Sequence, residues 1–235
     1  MDPAKTTRAG SPKRQQGARR IVARLAEAAL AVDLVILMAT AIVEEVAHEW
    51  FGMALFALAI GHVCLRWPIV RATFLGKASV RKFVTLALYL LILACLVALF
   101  ASSLILSKFA FGWLPALPGA SWARGLHMVA SYWLFVLAFV HIGMSMRIFA
   151  KTKHRKTGIA IWLVACVALA VLGMWAFVDL DMWQYMSMGV QFAFADASAP
   201  LWATCAEFAI MGLGFAAIGN LAREATACIH ARERG

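Results

Sequence analysis

Six stretches of this 235-residue chain are apolar over the roughly 20 residues that a helix needs to cross about 30 Å of hydrocarbon. They lie near 21–43, 49–67, 83–106, 125–147, 158–178 and 201–222, and Pro68, Gly76, Pro115, Pro118, Gly119, Gly158 and Pro200 punctuate the chain between them. The second run is the shortest and opens on polar His48 and Glu49. With 63% hydrophobic and only 14% charged residues, the chain departs far from the about 45–50% and about 25% of a soluble domain. A soluble fold of this length could not hide so much apolar surface. The expected class is therefore all-α: a polytopic membrane protein built as a six-transmembrane-helix bundle, in membrane lipid.

A net charge of +10 would suggest nucleic acid in a soluble protein, but here the placement of charge carries the meaning and nucleic acid is not an expected partner. Under six spans, twenty of the 22 Lys and Arg residues fall on one side: in the N-terminal stretch, in the loops after spans two and four, and in the C-terminal tail. Only Lys108 and Arg124 fall opposite, beside Glu44, Glu45, Glu49, Asp179, Asp181 and Asp196. The positive-inside rule then makes both termini cytoplasmic. Residues 1–20 read as a basic, disordered cytoplasmic tail and not a cleaved signal peptide, 21–222 as the six-helix domain, and 223–235 as a second cytoplasmic tail. The expected location is a bacterial inner (cytoplasmic) membrane. Cys64, Cys95, Cys166, Cys205 and Cys228 are scattered, form no CxxC or CxxCH, and read as buried, inert thiols.

Four histidines fall inside apolar runs: His48 and His62 in span two, His127 and His141 in span four. Each pair is separated by fourteen residues. Fourteen helical steps end about 40° short of four full turns and rise about 21 Å, so each pair shares one face with one imidazole near each leaflet. Two histidines so far apart cannot share an ion. Spans two and four run in the same direction, which sets His48 opposite His127 at the outer depth and His62 opposite His141 at the inner depth. Neutral imidazole is a haem-iron ligand, and bis-histidine iron, with no open position, suits electron transfer. Two b-type haems, one in each leaflet, are the expected cofactors, with all four histidines as metal ligands. The competing reading of each histidine is a hydrogen-bonding helix contact, a proton path or a bare metal site.

Neighbouring residues fit the haem reading. Gly52 lies four after His48, and Gly61 and Gly143 adjoin the inner ligands; a glycine admits a flat macrocycle close to the backbone, and equally serves plain helix packing. Arg124, one turn before His127, and Arg66, four after His62, are candidate partners for haem propionates, as is Arg147; interfacial snorkelling explains them too. Trp50, Trp67, Trp113, Trp122 and Trp183 sit where an aromatic belt is expected. Two outer loops, one from Phe109 to Trp122 and one from Met182 to Asp196, are apolar enough to lie flat at the interface, to roof a quinone pocket, or to fold back over the bundle. Asp33 and Glu207 are intramembrane carboxylates suited to proton release near a quinol, and Asp33 equally to pairing with a neighbouring helix.

The run His48-Glu-Trp-Phe-Gly-Met-Ala-Leu with Gly61-His-Val-Cys-Leu-Arg-Trp resembles the opening of the DUF4405, or flavinylation-associated cytochrome, family. Leu114-Pro-Ala-Leu-Pro-Gly followed by Leu126-His-Met-Val-Ala-Ser-Tyr-Trp and Val140-His-Ile-Gly-Met is similar to its middle part, and Tyr185-Met, Phe192-Ala-Phe-Ala-Asp and Glu207-Phe-Ala-Ile-Met-Gly to its C-terminal half. The likeness covers about residues 25–220 and leaves out the basic N-terminal tail. It implies a di-haem b-type cytochrome with His48, His62, His127 and His141 as ligands, passing electrons across the membrane to extracytoplasmic flavin-bearing proteins.

Three functions compete on the sequence. The first is a membrane electron conduit, an electron-transfer subunit between the quinone pool or a cytoplasmic donor and an extracytoplasmic redox partner or other subunits, with quinone as a further ligand. The second is a proton-coupled transporter using His62, His141, Asp33 and Glu207, against which stands the lack of any internal repeat or matched pair of broken spans. The third is a non-catalytic membrane anchor of a redox complex.

Overall fold

The computed structural model describes residues 12–39, 45–76, 78–115, 117–146, 156–189 and 199–232. Among the described residues seven helices follow one another: α1 (Pro12–Met38), α2 (Glu45–Leu75), α3 (Val80–Leu106), α4 (Ala120–Ser145), α5 (Lys156–Asp179), α6 (Met182–Met186) and α7 (Leu201–Arg232). Five of them, α2, α3, α4, α5 and α7, are long and apolar enough to cross a membrane. The chain is thus an all-helical, multi-pass membrane protein. Its surface agrees: Leu90 and Val97 on α3, and Val164, Val171, Trp175 and Val178 on α5, are all more than half exposed. A water-soluble bundle would bury such side chains; hydrocarbon is their solvent here.

The expected second span, short on sequence, is one of the five, and its helix runs straight through Pro68 to Leu75. The first expected span is not among them. Arg24, Glu27 and Asp33 interrupt the apolar run of α1, and the helix begins at Pro12, inside the stretch expected to be a disordered tail. Arg19 helps to hold that extension, its guanidinium donating to the Leu65 carbonyl at 3.1 Å. At the other terminus α7 continues to Arg232, through residues expected to form a tail.

Helix boundaries have local causes. Ser79 caps α3 by accepting from the Lys82 backbone N–H at 3.2 Å. Gly119 starts α4 at φ 106°, where any Cβ would strike the Trp122 indole. The last carbonyls of α4 are satisfied from α7: Asn220 Nδ2 donates to Gly143 O and Met146 O at 3.0 Å each, and Arg223 donates to Met146 O.

Two packing units make the bundle. In the first, α4 lies between α3 and α7, and α5 packs on the far side of α7. Small residues bring these axes together: a Cβ on Gly143 would run into the Ala216 backbone, one on Gly219 into Val140, and one on Gly173 into Gly214. Phe135, Phe139, Phe208 and Met211 fill the core between them. The second unit is the α1–α2 hairpin, which touches α3, α4 and α7 only lightly. Of the two apolar loops, the second folds back over the bundle and does not lie flat in its described part. Met182, Tyr185 and Met186 are buried, Tyr185 stacks on Tyr132 at 4.6 Å, and Trp133 Nε1 donates to Met186 O at 3.2 Å. Its remainder, residues 190–198, lies outside the described residues, as does Arg147.

Candidate functional site: two facing histidine pairs

Helices α2 and α4 face each other through their histidines while their backbones stand apart. His48 and His127 lie at the end of the bundle that carries the loops, with ring centres 6.2 Å apart and planes at 64°. His62 and His141 lie at the end that carries the termini, with ring centres 6.5 Å apart and planes at 84°. The expected pairing is therefore the observed proximity. Midway between, Leu55 on α2 and Leu134 on α4 are both buried in the same core cluster. Each helix thus presents His, Leu and His at seven-residue intervals, a layered pattern readable in the sequence but masked there by the many other leucines.

A third helix supports both imidazoles of α4. The Ser102 hydroxyl on α3, fully buried, donates to the Leu99 carbonyl at 3.0 Å and lies 3.1 Å from His127 Nδ1. If the hydroxyl donates to Leu99, His127 Nδ1–H donates to the hydroxyl, which leaves Nε2 with its lone pair free. Toward the other layer Tyr89, also on α3, sets its ring edge-on to His141 at 5.4 Å. Neither residue stands out in sequence, because a serine or a tyrosine in an apolar run has no characteristic spacing to a histidine on another helix.

The α2 histidines have different surroundings. His62 Nδ1 is 3.8 Å from the Glu27 carboxylate of α1, which Arg66 holds by contacts of 2.6 Å through Nη2 and 2.8 Å through Nε. Arg66, expected beside a propionate, is thus engaged with Glu27. His48 Nδ1 and His62 Nδ1 are buried without a hydrogen-bond partner. Beside His48, the Glu49 carboxylate accepts from Ser107 Oγ and from the backbone N–H groups of Lys108, Phe109 and Ala110 at 2.7–3.0 Å, tying α2 to the start of the 107–119 loop. That loop walls a cleft of about 420 Å³, which Lys108 and Arg124 line one turn from His127.

The glycines now separate. Gly143 is a packing residue against α7, whereas a Cβ at Gly52 or Gly61 would meet nothing within 4 Å. These two open ground beside the histidines of α2. Asp33 is buried against α2, and Glu207 is exposed near the loop end of α7, about 20 Å along the helix from the level of Asn220. The four groups of the relay reading are therefore not brought together. Cys95, Cys166 and Cys205 are at least partly buried, but Cys64 is exposed.

At each layer the two imidazoles could hold one metal-centred group between them. A metal–imidazole bond of about 2.0–2.1 Å, with the ring centre about 1.2 Å beyond its nitrogen, places two coaxial imidazoles on one ion about 6.4 Å apart. The observed 6.2 and 6.5 Å bracket that value and are too long for a hydrogen bond between rings. Among the described residues no group of three or more His, Cys, Asp or Glu is placed to hold a metal ion, and each facing pair offers two imidazole donors. No family model, no curated protein and no solved structure matches this chain.

Proposed function

We propose that this protein is a di-haem b-type membrane cytochrome that carries electrons across the bilayer. The observation that carries the reading is the pair of imidazole separations, 6.2 and 6.5 Å, repeated at two depths of one helix pair. In this reading α1 is a sixth span, both termini are cytoplasmic, and His62 and His141 form the cytoplasmic layer while His48 and His127 form the outer one. The membrane is a bacterial cytoplasmic membrane, and an extracytoplasmic flavin-bearing protein or another subunit takes the electrons. In this reading the chain is also a relative of the flavinylation-associated cytochromes that its histidine segments resemble.

A haem held between His48 and His127, and another between His62 and His141, would supply one-electron chemistry. The chain's own residues supply the rest. His48, His62, His127 and His141 ligate; Ser102 fixes the His127 tautomer; Leu55 and Leu134 hold the layers apart and dry; Gly52 and Gly61 leave room beside the ligand helix. Arg124 puts positive charge at the outer layer, where carboxylates of a bound group would be neutralised, while Lys108 beside it is paired with Glu45.

The test is a reduced-minus-oxidised spectrum with haem quantitation on the purified protein. Two haems per chain are expected, and His127→Ala should lose one of them. A colourless protein would overturn the reading, and full haem content in the variant would overturn the pairing.

A further inference from the structure

Between the two histidine layers the α1–α2 hairpin carries a groove that the ligand sites do not use. Its volume is about 290 Å³, and it is lined by Ala29, Val32, Asp33 and Ile36 of α1 and by Phe51, Ala54 and Leu58 of α2. All are apolar except Asp33. That side chain is only 6% exposed, and neither carboxylate oxygen has a hydrogen-bond partner. Glu27, six residues earlier on the same helix, is occupied by Arg66. A carboxyl this deep in a membrane protein, unpaired, adds nothing to stability, so its presence calls for a ligand or a proton.

The position narrows the ligand. Phe51, Ala54 and Leu58 fall between His48 and His62 in sequence, about 40–100° around α2 from the histidine stripe. A ligand here enters from hydrocarbon and so must be lipid-soluble. An anionic fatty acid would meet like charge, and a phospholipid headgroup lies at the interface and not at this depth. A flat ring bearing oxygen suits both walls: it would pack on Phe51 and small Ala54, and, once the buried Asp33 side chain rotates toward the groove, its oxygen would either accept from a protonated carboxyl or donate to an ionised one. We propose that this groove binds the head ring of an isoprenoid quinone, with Asp33 hydrogen-bonding a ring oxygen and the isoprenoid tail lying in the membrane. The redox use of such a site rests on the di-haem reading; the binding itself does not.

The experiment titrates the purified, haem-loaded protein with a short-chain benzoquinone and a short-chain naphthoquinone, measuring bound quinone and haem content on the same samples. One equivalent of at least one quinone should bind. Asp33→Leu should weaken binding about tenfold or more, as expected for losing one hydrogen bond to a buried carboxyl. Its thermal stability should not fall, because the carboxyl it replaces has no partner; a merely structural aspartate would behave oppositely. Ala54→Trp, which fills the groove from the other helix, should abolish binding with both haems retained. A two-haem protein that binds neither quinone, or both variants binding like the parent, would overturn the site and leave the cytochrome reading intact. A colourless protein that still binds quinone through Asp33 would do the reverse.

Discussion

Substituting Ser102 by alanine isolates one layer of the site. The hydroxyl is fully buried, and its two contacts, to Leu99 O at 3.0 Å and His127 Nδ1 at 3.1 Å, have no water to replace them. Alanine leaves His127 Nδ1–H as an unsatisfied buried donor, at a cost of about 1–3 kcal/mol. Alternatively the ring flips or shifts tautomer to escape that cost, and the lone pair leaves the ligating position. Either way the outer site should hold its haem about 10–100-fold more weakly, the usual effect of losing a partner to a metal-bound histidine. The measurement is haem loss to an excess of a haem-scavenging protein, made in a His62→Leu background so that only the outer haem is followed. Ser102→Thr keeps the hydroxyl and should retain haem better than alanine. A Ser102→Ala protein that keeps the outer haem as tightly as the parent, or that in an otherwise native chain loses the inner haem instead, would refute this role for Ser102.

Glu27→Gln should act on the other layer alone. It removes a negative charge 3.8 Å from His62 Nδ1, and losing an anion near a ferric site disfavours the oxidised form, so the inner midpoint should rise. Glu27 is 38% exposed and shares its charge with Arg66, which keeps the effect near about 0.5–1 kcal/mol, or about 20–40 mV for one electron. Potentiometric titration reads both haems, and a fall in the inner midpoint or an equal shift of the outer one would contradict the assignment. Gly219→Ala should cost about 1–3 kcal/mol in detergent unfolding, because its Cβ would meet the Val140 backbone and α4 and α7 would have to separate. Gly52→Ala, whose Cβ meets no protein atom, should cost no packing and is the matched control; equal destabilisation of the two would argue against the close α4–α7 approach.

The sequence discloses this protein unevenly, and the pattern has a physical cause. Histidine positions along α2 and α4 are legible because a helix repeats its geometry, so fourteen residues translate directly into depth and face. Apolar length is legible for the same reason and locates α3, α4 and α5 to within a few residues at most ends. What sequence does not disclose is contact between helices. Glu27 and Ser102 serve histidines 35 and 25 residues away through tertiary packing alone, with no periodic trace. Gly143 and Gly61, each beside an inner histidine, are indistinguishable in sequence, yet one presses against Ala216 and the other faces open space. Helix ends are the other weak point. The propagation of α1 back to Pro12 and of α7 out to Arg232 follows from adding one hydrogen bond per residue to an existing helix, which composition-based reasoning about basic tails overlooks.

The division into two packing units gives the histidines a second task. Glycine contacts lock α4, α5 and α7 together, and α3 packs broadly along α4, whereas the α1–α2 hairpin meets this body through few backbone approaches. Lipid offers no hydrophobic drive to close such a gap, so close packing and polar contacts must do it. Between α2 and α4 the side chains that face each other are the two histidine pairs, held too far apart to bond directly, with one buried leucine from each helix between them. A group ligated by both members of a pair would therefore close the fold as well as serve function, because binding that exists only in the assembled bundle adds its free energy to assembly. The layer near the termini has Glu27 and Arg66 as an additional clasp between α1 and α2, and the layer near the loops has Glu49 gripping the 107–119 segment. Ion-pair and backbone contacts thus hold the hairpin's own geometry, and on the proposed reading ligation would set its distance from α4. That arrangement would account for why histidine-bearing α2, with Leu55 its one buried residue among those described, is also the least buried of the five apolar helices.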